Sequence, residues 1–201
     1  VIKLALGCPA YRRQVHVGHI FQALNMSAAI LHHPGVQLVG CLVVASTNID
    51  YARNRLTHDA LAHGADWLLM FDADTYHVRA EALLEMVVAG SAREAAVIAA
   101  PVRRRGAEGY NVVVVDETGE RQLDPAGIHD VVPVQRIGTA CMAVNLGWVR
   151  ACWPRQPWFV TRQLDGAEPA KLSEDYAFCD GVRERGGSIL LDARFEPVHD
   201  G

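Results

Sequence analysis

No apolar run in this 201-residue chain reaches the roughly 18 residues that a membrane-spanning helix needs. Arg93 and Glu94 interrupt the longest candidate, so no spanning helix is expected. No C-x-x-C pair occurs among the five cysteines, Cys8, Cys41, Cys141, Cys152 and Cys179. Their odd number and scatter argue against a disulfide framework or a zinc cluster and for reduced thiols in a cytoplasmic setting. Positive charge is not in excess either: 19 Lys and Arg against 23 Asp and Glu give a net charge of -4. That balance speaks against a surface built to coat nucleic-acid phosphates, although a local basic patch is compatible with it. Internal repeats and low-complexity tracts are missing, and no N-terminal targeting segment is expected. Apolar residues are plentiful: at 50% of the chain they suffice for one domain with a substantial core.

The apolar segments alternate between two periods. "IKLALG" at residues 2–7 predicts a strand that stops where Pro9 removes a backbone donor. Residues 18–33 place Ile20, Phe21, Leu24, Ala28 and Leu31 on one helical face, before Pro34-Gly35. "VQLVGCLVVA" is nearly continuous and β-branched, which predicts a buried strand. A helix over 51–63 follows, with Asp50 as N-cap and Gly64 at its end, and then a second buried strand, "DWLLMF". A helix over 79–89 and the strand "AAVIAAPV" extend the alternation that builds a mostly parallel α/β sheet. The second half differs: "NVVVVDETGERQL" and "HDVVPVQRIGTACMAVN" predict hairpins or a mixed sheet edge. Residues 153–172 predict a long loop, and a helix over 174–185 precedes a last strand, "SILLDA".

Three constellations could carry chemistry. Asp72 and Asp74 sit at the carboxyl end of a buried strand, the rim where open α/β sheets bind ligands. Two like charges on one side of a strand suit Mg2+ or Mn2+, while a helix cap and a loop amide would also account for them. Glu174 and Asp175 in "SEDYAF" fall in the first turn of a helix, where the dipole favours them; at a loop edge, such a carboxylate could serve as a general base. His199 in "PVHDG" could ligate a metal or be merely exposed. Arg53 near a helix start is a candidate partner for a phosphate or a carboxylate, and the run Arg103-Arg104-Arg105 is either a solvated loop or an acceptor contact. Trp153, Trp158 and Phe159 could stack on a sugar or base, or pack in a core.

Taken in order, "ARN", "DWLLMFDAD", "RIGTACMAV", "SEDYAFCDGVRERGG" and a histidine after the last strand resemble GT-A-fold glycosyltransferases, especially small bacterial and bacteriophage members. The resemblance implies one domain: residues 1–102 as a Rossmann-like nucleotide-sugar-binding half and 103–201 as a mixed-sheet acceptor half. It implies a nucleoside-diphosphate sugar donor, a UDP-sugar in the first instance, held near Cys8, Pro9, Ala10, Arg53, Asp72, Ala73, Gly138 and Thr139, with Ala140 completing the strand edge under the sugar. It also implies Mn2+ or Mg2+ bound by Asp72, Asp74 and His199, the first aspartate lying near ribose. In inverting members the aspartate of the E-D pair is the base, which maps to Asp175 beside Glu174; retaining members lack a clear base. The acceptor could be a glycan, a protein, a metabolite or a modified DNA base. Two other readings carry less of the pattern: a nucleotidyltransferase on a similar sheet, and a sugar-nucleotide-binding protein without catalysis.

Overall fold

The computed structural model describes residues 1–10, 15–76, 79–103, 109–116, 119–163 and 171–199, with only the backbone described at 76, 115, 116, 198 and 199. In chain order the elements are β1 (Ile2–Ala10), α1 (Val17–His32), β2 (Val36–Ala45), α2 (Ile49–Ala62), β3 (Trp67–Phe71), β4 (Thr75–Tyr76), α3 (Ala80–Ala92), β5 (Val97–Ala99), β6 (Val112–Asp116), β7 (Gly119–Gln122), β8 (Val131–Pro133), β9 (Arg136–Ile137), β10 (Cys141–Asn145), α4 (Leu146–Cys152), β11 (Arg162–Gln163), β12 (Lys171–Leu172), α5 (Glu174–Glu184), β13 (Ile189–Asp192) and β14 (Val198–His199). The central sheet has the order β2-β1-β3-β10-β5-β13-β8. Strands β1, β2, β3, β5 and β13 run one way, and β10 and β8 run against them. The result is a mixed α/β single domain with a mostly parallel sheet.

β3 shows why the core strands read as continuous apolar runs. It has a neighbour on each edge and helices over both faces, so every residue of "WLLMF" is buried. Leu68 and Met70 pack with Leu56 of α2 and Phe178 of α5, whereas Leu69 and Phe71 face Met26 of α1 and Leu83 of α3. The expected hairpin is present as β6 and β7, with Val113 opposite Gln122. The two halves interlock, because β10 runs antiparallel between β3 and β5.

Several expectations are corrected. β1 continues through Pro9, which lies opposite Val44. Pairing with β3 ends at Gly7, so Pro9 has a strand on one side only, a setting that tolerates a missing N–H. β2 is an edge strand rather than a buried one, with Val43 65% exposed. The cap of α2 is Asn48, whose Oδ1 accepts from the Tyr51 N–H at 2.9 Å, and Asp50 is already helical. Gly64 does end that helix, at φ 70°, where a side chain would be strained. The helix α1 forms as its spacing predicts, yet its stripe of Ile20, Phe21, Leu24 and Leu31 points outward, while Met26 and Ile30 face the sheet together with His19 and Gln22. A helix apolar on both faces gives the period without saying which face is inside.

Candidate active site

The amino-terminal half of α2 is the hub of the site. Asp50 accepts from the Thr161 N–H at 2.7 Å and from its hydroxyl at 3.0 Å. One turn on, Asn54 Oδ1 accepts from the N–H groups of Trp158 and Phe159, at 2.7 and 3.1 Å, and its amide donates to the Phe159 carbonyl at 2.6 Å. These bonds seat the 153–163 loop on the helix. Trp158 and Phe159 are buried, Phe159 lying 4.2 Å from the Phe178 ring between centroids, so these two aromatics are core. Trp153 lies under the Arg185 guanidinium at 4.2 Å. Between these anchors Arg53, only 4% exposed, reaches back to two carboxylates from distant parts of the chain. Its Nη1 donates to Glu174 and its Nη2 to Asp72 Oδ1 at 3.1 Å and Oδ2 at 3.3 Å. Its Nε is buried with no partner among the described residues. One buried cation thus joins the first aspartate of D-x-D to the glutamate of E-D.

The D-x-D turn itself is held by backbone. The Asp72 N–H donates to the Ala140 carbonyl at 3.0 Å, the Ala73 carbonyl accepts from the His16 N–H at 2.9 Å, and the Asp72 carbonyl accepts from Thr75. His19, buried against the Phe71 ring, adds a bond from its Nδ1 to the Asp72 carbonyl at 2.9 Å. Burial lowers the His19 pKa, partly offset by bonds to the backbone of Asp72 and Thr75 and by the Asp72 charge. Sequence reasoning missed this histidine, since its position in α1 carries no signal of the turn it supports.

Above the turn lies a small cleft of about 190 Å3, lined by Arg53, Asp72, Val102, Arg103, Asn111, Gly138, Thr139, Ala140, Glu174 and Asp175. Of the expected site residues, the structure thus gathers Arg53, Asp72, Gly138, Thr139, Glu174 and Asp175 in one place. Gly138 has to be small: a Cβ there would lie 2.9 Å from the Asn111 Cβ. Asp175 Oδ1 accepts from the Ser173 hydroxyl and, at 2.8 Å, from the Tyr176 N–H. Among the described residues no bond reaches its Oδ2. A larger groove of about 990 Å3 runs between α1 and α3 away from these carboxylates. Convergent charged groups, rather than volume, mark the candidate site.

Other expected residues are placed as follows. Cys8 and Ala10 are buried in β1, and burial, with the Asp72 charge, pushes the Cys8 thiol up to about 12. Arg103 binds Glu196 at 2.9 Å, and Tyr110 donates to the same carboxylate at 2.9 Å; Arg104 and Arg105 lie outside the described residues. The backbone of His199 pairs with Thr75, so β14 brings the chain's last histidine beside Asp74. Among the described residues no three His, Cys, Asp or Glu side chains form a metal cluster. The donor set nevertheless fits a divalent cation: Asp74 contributes hard oxygen ligands, and the β14 pairing carries an imidazole-bearing residue to the same turn.

No family model matches the chain, and no curated protein sequence matches it. Solved structures do. A crystal structure of GalNAc-T7 with UDP, GalNAc and Mn2+ superposes with TM-score 0.54 at 11% identity, over 98% of this chain and 43% of its own. The fold is GT-A-like. This chain spans less than half the length of that neighbour. The 4-diphosphocytidyl-2C-methyl-D-erythritol synthase of Anaerococcus prevotii superposes with TM-score 0.50, also at 11% identity, over 98% of this chain and 87% of its own. At such identity these matches establish the GT-A-like fold. Among the described residues no helix is long and apolar enough to cross a membrane.

Proposed function

We propose that the chain is a metal-dependent glycosyltransferase that moves a sugar from a nucleoside-diphosphate donor, a UDP-sugar in the first instance, to an acceptor hydroxyl with inversion. The observation that carries this reading is the Arg53 bridge, which unites Asp72 with the Glu174-Asp175 pair beside the Gly138-Thr139-Ala140 strand edge. Asp72, Glu174 and Asp175 outnumber Arg53 and Arg103 in the cleft, so a diphosphate would enter it with a cation. Asp74 and His199 are the residues to hold that cation, with Asp72 beside them. When bound, it would neutralise charge on the departing nucleoside diphosphate. Arg53 fixes the Asp72 carboxylate through its Nη2. Asp175, oriented through Oδ1, receives the acceptor proton on Oδ2 as the acceptor oxygen bonds to the anomeric carbon and the bond to the diphosphate breaks.

Calorimetric titration of UDP and GDP, with Mn2+ and with chelator, tests the donor site. One nucleotide should bind only with metal, and Asp74→Ala should abolish that binding. Asp175→Asn should keep nucleotide binding while lowering kcat by about 100-fold or more. Failure of both nucleotides to bind under any condition refutes the reading. The Anaerococcus neighbour supports a second reading, a nucleotidyltransferase acting on a sugar phosphate. Release of pyrophosphate from a nucleoside triphosphate would select it, and release of a nucleoside diphosphate from a nucleotide sugar would select the first.

A further inference from the structure

Residues 15–49 contain no Asp, Glu, Lys or Arg, in a chain whose charged share is 21%. They form α1, β2 and the turns around them. On the outer face of α1, Ile20, Leu24 and Leu31 are 51, 60 and 79% exposed. β2 ends the central sheet and pairs only with β1 among the described residues. Cys41 Sγ lies 3.8 Å from Ser27 Oγ, which puts Cys41, and Val43 two residues on, on the α1 side of the strand. The exposed residues of α1 and of the β2 edge on this side of the sheet therefore carry no formal charge. A helix apolar on both faces is usual when both are covered, and an open edge is usually guarded by lysine or proline. β2 has neither, and its single register irregularity lies opposite Leu4/Ala5, leaving Gly40–Ala45 regular.

We propose that this face binds a second copy of the chain. Two β2 edges pair antiparallel about a two-fold axis normal to the sheet, and the two α1 helices meet side by side on one face of the joined sheet. The spacing is right for this. α1 covers the β1-β2 edge of the sheet, and with strands about 4.8 Å apart the paired edges set the two helices roughly 10 Å apart, close to the 8–10 Å of packed helices. Charge points to a self-partner. Copies of net charge -4 repel one another least across a surface that carries none. A partner recognised by charge complementarity would find nothing to read here, and membrane-surface helices carry the Lys and Arg that α1 lacks. Exposed Ile20, Leu24, Leu31 and Val43 supply the apolar part of the patch, and the strand edge adds backbone pairing, toward the roughly 800 Å2 per partner of a standard interface. The inference does not depend on the catalytic reading.

Sedimentation velocity of the full chain across a micromolar concentration series tests it. Wild type should sediment as a dimer. Leu24→Glu on the helix and Val43→Lys on the strand edge should each weaken the dimer by about 100-fold or more, with circular dichroism unchanged because both positions are exposed in the monomer. A wild-type chain that stays monomeric throughout overturns the proposal, as does a dimer that both variants leave intact. Binding of a monomer to phosphatidylcholine vesicles, lost in Leu24→Glu, would assign the face to lipid and overturn it equally.

Discussion

Replacing Arg53 with methionine keeps an unbranched stem and removes the guanidinium with its charge, leaving Asp72 and Glu174 without their shared partner. Arg53 is 5% exposed by side chain, Glu174 12% and Asp72 23%, so the Glu174 contact is buried and the Asp72 contact partly open. Removing one member of a buried ion pair costs about 3–5 kcal/mol, mainly because the remaining charge is stranded away from water. Most of that cost should come through Glu174, since water can screen Asp72. For a domain of this size the loss corresponds to about 6–20 °C in Tm. Urea unfolding followed by tryptophan fluorescence is a suitable assay, because Trp67 and Trp158 are both buried. The decisive comparison is with Arg53→Met/Glu174→Gln, which removes the stranded charge. The double variant should be more stable than Arg53→Met alone, and Arg53→Lys should fall short of wild type, since a compact ammonium lacks the planar fork that spans the two carboxylates. A cost for Arg53→Met below about 1 kcal/mol, in the range of exposed pairs, or strict additivity in the double variant, would refute the account of Arg53 as the link between the two acidic motifs.

Other perturbations give equally definite expectations. Asn54→Ala strands two buried N–H groups and one carbonyl of the 153–163 loop, so it should cost about 2–4 kcal/mol and admit protease to that loop. Gly90→Ala places a Cβ 2.7 Å from Ile98 Cγ2 and 3.0 Å from the Trp67 ring; overpacking of about 1–3 kcal/mol should outweigh the gain of about 1 kcal/mol in helix propensity, lowering the urea midpoint. Thiol reagents should modify exposed Cys152 in the native chain, and reach Cys8, Cys141 and Cys179 only on unfolding. Burial raises those three thiols from 9.0 to about 12. The unfolded chain therefore loses these protons first, and stability should fall as pH rises from 9 toward 12. Alanine at the three positions should flatten that slope in alkaline urea titrations.

The alternation of strands and helices was legible because fully covered strands such as β3 must be apolar on both faces, and no other element writes that pattern so plainly. The positions of Asp72 and Asp175 in one cleft were legible only through motif order. What joins them, a buried arginine one turn into α2, left just the hint of a cation near a helix start. His19 left none, because the turn it supports is closed by backbone carbonyls, which every residue has. The open edge of β2 was misread, and the facing of the α1 stripe was left undecided, for one reason. Periodicity reports that apolar side chains share a face, whereas the choice of buried face depends on what the whole sheet leaves uncovered. Trp158 and Phe159 went to the core because Asn54 claims their backbone, a pairing across more than a hundred residues that no local window contains.

The insertion of β10 between β3 and β5 also bears on synthesis. A ribosome delivers β1, β2 and β3 early, and these can associate as parallel neighbours, but the far edge of β3 waits for Cys141–Asn145 to emerge. Until then Asp72 has no Ala140 carbonyl for its N–H, Arg53 has no Glu174, and the nascent sheet presents the edge of its most apolar strand. The rim that carries Asp72 and Glu174 and the protection of the core are thus completed in the same late step of folding.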